Sequence, residues 1–304
     1  EPALADRNAE YRTVAALAEV GAEDLERART ELESSTGTVN LRTVNTMMSL
    51  LDGQQDFTLW SKTISALAAL VPRLIEQGDL ALANRVLVDL STRESRTTQP
   101  WPGLAVVVQK ALALATSSQA LGALLTAVLD DTTQAAMARS ILRNTSVHAQ
   151  QRLVVEAISQ RERNGLGAAE ELLGRRLVDL IVAVLPEVQW FQVGPVALRL
   201  AADTDPRAQA ALASLADRPD ERSRQEVAKA LAASSSAAAM GVLTRLAGDT
   251  AREVAILAVR SLGTTVAPGA ARALEGVFDS IDTDNKDFAL AREVIGALAR
   301  SPDA

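Results

Sequence analysis

His148 is the single histidine in this chain, and there is no cysteine. A Ser–His–acid triad would have to use His148, because the base must take up a proton near neutral pH. His148 stands in Thr145-Ser146-Val147-His148, which reads as a linker between helices. A surface or capping role is therefore the expectation. A metal site built on cysteine or on several histidines is excluded. Asp282, Asp284 and Glu293 fall at positions 1, 3 and 12 of an EF-hand spacing. Lys286 occupies position 5, however, and Asp287 replaces the turn glycine at position 6, so a polar linker with helix-capping acids is the better reading. Gly165-Leu166-Gly167 lacks the third glycine of a dinucleotide loop and has no strand before it. Asn144-Thr145-Ser146 fits a glycosylation sequon, which matters only on secretion. No catalytic, cofactor-binding or metal-ligating residue is predicted, and the chain is expected not to be an enzyme.

The elements behind these residues are easier to read. The composition is 48% hydrophobic but only 3% aromatic, and Ala, Leu and Val supply most of the apolar content. Ala and Leu favour helices, and small side chains let helices approach closely. Leu200, Leu231 and Leu262 lie 31 residues apart. Val196, Val227 and Ala258 precede them by four, and Ala201, Ala232 and Gly263 follow by one. A period of this length is one short helix pair, so the expected fold is an all-α solenoid, a right-handed superhelix of about seven antiparallel pairs.

Charge limits the partners. The net charge is −7 and the pI about 5.0, with no dense Lys/Arg cluster, so nucleic acid is not expected. Residues 111–129 carry no charge, the length of a membrane span, but Thr116-Ser117-Ser118-Gln119 interrupts them with a helix-start signal. Two buried helices joined by a turn are predicted, and no membrane partner. The chain opens Glu1-Pro2, as expected of a fragment or processed product, and no signal peptide is visible. The absence of cysteine suits a reducing cytoplasm.

Three regions are expected in one continuous solenoid: a helical cap or connector over 1–37, degenerate helical repeats over 38–185, and regular repeats over 186–304. Predicted helices include 39–51, 56–77 with Gly78 as its stop, 104–115, 118–129, 132–143, 149–163 and 166–185. In the last region Asp205-Pro206, Pro219-Asp220-Glu221, Ser235-Ser236 and Asp249-Thr250 are helix starts, and Gly263 is a C-terminal glycine. Trp60, Trp101 and Trp190 are expected to fill gaps between helices, with Trp101 the most exposed because prolines flank it.

The run Asp205-Pro206-Arg207-Ala208 through Asp220, Arg224, Val227, Ala230 and Leu231 resembles a HEAT repeat. Asp249, Arg252, Val254, Ala258 and Leu262 keep part of that pattern. Trp190-Phe191 is similar to the Trp-Phe pair that opens a helix ahead of an Asp-Pro-Arg-Ala unit in bacterial HEAT-repeat proteins. Those continue with Arg-Asn, where this chain has Gly194-Pro195. The resemblance covers residues 186–264 and implies a scaffold that docks a protein partner, or a neighbouring domain of the same polypeptide, on a concave helical face. It carries no catalytic residues, and the single histidine excludes the HEAT-type metal hydroxylases. The remaining alternatives are a nucleic-acid-binding HEAT-like protein and an accessory or lyase-type subunit. Geometry places the candidate partner-binding residues on the second helices, pointing away from the core: Arg224, Lys229, Arg252 and Arg260, together with Trp101. Oligomeric state cannot be read from the sequence.

Overall fold

The structure is a computed structural model that describes residues 41–95, 101–265, 267–281 and 288–301. Among them every regular element is helical and none is a strand. The cap expected over 1–37 lies outside the described residues. The chain divides into two compact units, residues 1–153 and 154–304.

The first unit contains α1 (Leu41–Gly53), α2 (Phe57–Glu76), α3 (Leu80–Ser95), α4 (Leu104–Ala115), α5 (Ser118–Leu129) and α6 (Ala135–Arg143). Helix α7 (Val147–Ser159) crosses the division. The hub is α2, which packs on α1, α3, α4 and α5. The Asp56 carboxylate caps its start, accepting from the Thr58 and Leu59 N–H groups at 2.7 and 3.1 Å. Gly78, at φ +79°, closes its end: the Gly78 and Asp79 N–H groups return to the Ile75 and Leu74 carbonyls. Pro72 lies inside α2 without ending it, because burial on four neighbours outweighs the one backbone bond lost. The uncharged run splits as expected: Ser117 caps α5, and α4 and α5 meet at a 49° bend. No single helix among the described residues is long and apolar enough to cross a membrane.

The second unit contains α8 (Gly165–Leu173), α9 (Arg176–Val184), α10 (Val193–Ala201), α11 (Pro206–Ala216), α12 (Glu221–Leu231), α13 (Ala237–Leu246), α14 (Arg252–Leu262), α15 (Ala270–Ser280) and α16 (Phe288–Leu298). The helix expected over 166–185 is two helices, because Gly174 takes φ +54° and turns the chain between α8 and α9. From α9 onward the helices form two rows. Helices α10, α12, α14 and α16 pack successively on one another, as do α9, α11, α13 and α15. Neighbours in sequence join the rows. This is the arrangement that one helix pair per 31 residues requires. Leu200, Leu231 and Leu262, with Val196, Val227 and Ala258, are fully buried at equivalent places on three rungs. Polar ties share the spacing: Arg199 meets Glu170, Arg218 donates to the Leu185 and Val188 carbonyls, and Thr265 donates to the Ser234 carbonyl, each across 29 to 33 residues.

Candidate functional site

The α10–α12–α14–α16 row contains four of the five candidate residues, of which Lys229, Arg252 and Arg260 are exposed. Asp220 sets the start of α12 by accepting the Ser223 N–H at 2.7 Å. Burial pushes the Asp220 carboxyl up, but the bonds from Ser223 and the charge of Arg218 hold it below its ordinary value. That start places Arg224 one turn in, facing the next rung. The Arg224 guanidinium grips both carboxylate oxygens of Asp249 at 2.7 and 3.0 Å and donates to the Arg218 and Pro219 carbonyls. Both side chains are largely covered. Burial alone would raise the Asp249 carboxyl; the Arg224 pair and the Ala251 N–H outweigh it and hold the group below its usual range. Asp249 therefore differs from its expected role. Ala251 is the N-cap of α14, and Asp249 clasps the preceding rung. Four of the five Arg224 N–H donors are engaged inside the fold.

Lys229 and Arg260 occupy equivalent exposed positions on α12 and α14. The Lys229 Nζ lies 2.9 Å from Glu226. Arg260 reaches both Glu293 oxygens on α16 at 2.7 and 2.9 Å. These bonds hold the Glu293 carboxyl below its ordinary value. Arg252 is exposed in the first turn of α14. Arg292 is exposed on α16, one turn nearer the helix start than Lys229 and Arg260 are on theirs.

The fifth candidate, Trp101, belongs to the first unit. It is half-buried, its ring 5.6 Å from Phe57 and 5.8 Å from Trp60. Trp60 is in the core as expected. The exposed tryptophan is Trp190, at 43%, beside Phe191 at 53%. The two rings meet edge to face at 5.7 Å, and the Arg222 guanidinium lies over the Trp190 ring at 5.6 Å. The pair stands on a 3₁₀ turn, residues Trp190–Gln192, just before α10. A reciprocal Gln189–Gln192 capping box holds that turn, and the Gln192 amide also donates to the Ser159 hydroxyl at 2.9 Å. Sequence reasoning assigned Trp190 to packing. The Gln189 and Gln192 spacing was the available signal that this turn is fixed in its own right.

His148 is exposed in the first turn of α7, which starts earlier than the expected Ala149 because Ser146 receives the Ala149 N–H. Of the EF-hand-like acids, Asp282 and Asp284 lie outside the described residues, and Glu293 serves Arg260. No group of three or more potential metal ligands occurs among the described residues. The chain matches no model of a known protein family and no curated protein.

Proposed function

We propose that this chain is a non-catalytic, HEAT-like scaffold in the cytoplasm that docks a protein partner, or a neighbouring domain of its own polypeptide, on the α10–α12–α14–α16 face. The observation that carries this reading is the Trp190–Phe191 pair. A chain with eight aromatic residues exposes two of them side by side. Capped on both sides, they lose little conformational entropy on contact, which is how a binding hot spot works. Lys229, Arg252 and Arg260 lie on later rungs of the same row and favour an acidic or mixed-charge partner rim. Arg224 is left out of the contact set because Asp249 and two carbonyls occupy it. The two-row packing at a period of 31 supports the solenoid reading, and the right hand of its superhelix is part of the proposal.

The test is capture of partners from source lysate on the immobilised chain, followed by direct binding of the recovered protein. Trp190→Ala/Phe191→Ala is expected to remove the partner without lowering the thermal midpoint. Equal binding by this double variant would refute the assignment. A lysate that yields only nucleic acid would favour the nucleic-acid alternative.

A further inference from the structure

Gly165 and Gly167, which form no nucleotide loop, are explained by packing where α7 meets α8. A Cβ on Gly165 would collide with the Ala157 carbonyl of α7, and a Cβ on Gly167 with the Asn164 carboxamide. Gly165 is buried at the first position of α8, and its N–H donates to the Gln160 carbonyl at 3.1 Å. Asn164 precedes it at φ +55° and ψ +44°, the left-handed conformation that asparagine adopts more readily than most residues. The turn therefore favours Asn followed by Gly. This is the one Asn-Gly pair in the chain: the other asparagines are followed by Ala, Leu, Thr, Arg or Lys.

Asparagine is chemically labile, and most so before glycine, whose nitrogen is unhindered. The Gly165 nitrogen would attack the Asn164 Cγ, forming an N–C bond as the Cγ–Nδ2 bond breaks. The proton displaced from Gly165 leaves with Nδ2 as ammonia. Water then opens the cyclic imide at either carbonyl. One product is aspartate; the other is isoaspartate, whose backbone runs through Cγ and is one methylene longer. In the folded chain three features oppose the first step. At ψ +44° the Gly165 nitrogen lies across the Cα–C bond from the Asn164 side chain. Its N–H is held by the Gln160 carbonyl. Turning it toward Cγ would also swing the start of α8 off Ala157, where Gly165 is seated. We infer that Asn164 is a fold-gated deamidation site, closed while α8 is seated on α7 and open whenever that junction unfolds. The isoaspartyl product places a longer backbone at the closest approach of the two helices and does not re-seat. A passing opening is thereby made permanent.

The experiment incubates the full chain in mildly alkaline buffer made with heavy-oxygen water, and peptide mass spectrometry reads conversion at Asn164. Conversion is expected to be at least about tenfold slower in native buffer than in denaturing urea. Leu166 is buried on α8, so Leu166→Ala should loosen the junction. It should speed native conversion about threefold or more and leave the rate in urea unchanged. If that variant does not fold, sub-denaturing urea on the unmodified chain should give the same rise. Isoaspartyl chains separated by chromatography should lose hydrogen-exchange protection in α8, whereas Asn164→Asp should keep it. Equal rates in native buffer and urea, no rise on loosening the junction, or full protection of α8 in the isoaspartyl chain would overturn the inference.

Discussion

At the scale of single residues, Arg224 and Asp249 show how a repeat signature serves structure. Both are largely covered, and each satisfies the other. Asp249→Ala leaves a guanidinium facing two carbonyls without its counter-ion, and should cost about 1–3 kcal/mol in chemical denaturation. The linked pH effect has a definite sign. Asp205, Asp220, Asp249 and Glu293 are all held below their ordinary values in the folded chain. Their stabilisation is complete above the ordinary carboxylate range and is lost as pH falls through it, below about pH 4. Glu156 acts oppositely: burial raises its carboxyl, so its contribution is lost as pH rises through that raised value. The lowered group is larger, so the thermal midpoint should fall on acidification from about pH 6 to pH 3, less steeply in Asp249→Ala. An unchanged slope would show that the pair does not set acid stability.

At the scale of helices, the packing of α10, α12, α14 and α16 rests on a few close approaches. Leu231 is fully buried on α12, between α10 and α14, and Leu231→Ala should cost about 2–5 kcal/mol by opening a cavity. A loss under about 0.5 kcal/mol would place this side chain outside the core. Gly263, expected as a C-terminal glycine, is the C-cap of α14 at φ −72°, an ordinary right-handed conformation. Glycine is required there by contact: an added Cβ would lie 2.7 Å from the Ala297 Cβ and 2.8 Å from its Cα. Gly263→Ala should therefore push α16 off α14, costing about 1–3 kcal/mol. Its signature in hydrogen exchange would be lost protection in α16 with α10 unaffected. Uniform loss across the row would contradict a local clash.

At the scale of the molecule, each unit buries its own core, and the second repeats one helix pair at a fixed spacing. Stability in such an array adds up through neighbouring rungs, so the surface is free to differ from rung to rung. That freedom is visible in Trp190–Phe191 at one place, the equivalent cations Lys229 and Arg260 on two rungs, and the exposed Phe288 and Ile295 on α16. Isothermal calorimetry with a recovered partner should show the Trp190→Ala/Phe191→Ala variant weakened at least about tenfold, with a thermal midpoint equal to that of the unmodified chain. A lowered midpoint would instead make the pair part of the core.

Helix type, the 31-residue period and the caps at Asp56, Asp205, Asp220 and Ser236 were determined by the sequence alone, because they depend on residues within one or two turns of each other. The buried places of Leu200, Leu231 and Leu262 followed from that period. The break at Gly174, the contact behind Gly263, the pairing of Arg224 with Asp249 and the exposure of Trp190 were decided only in the tertiary structure. Each depends on what a distant segment places beside the residue. A single local pattern is compatible with a cap or a clasp, and with a core or an exposed aromatic ring, until the neighbouring helix is in position.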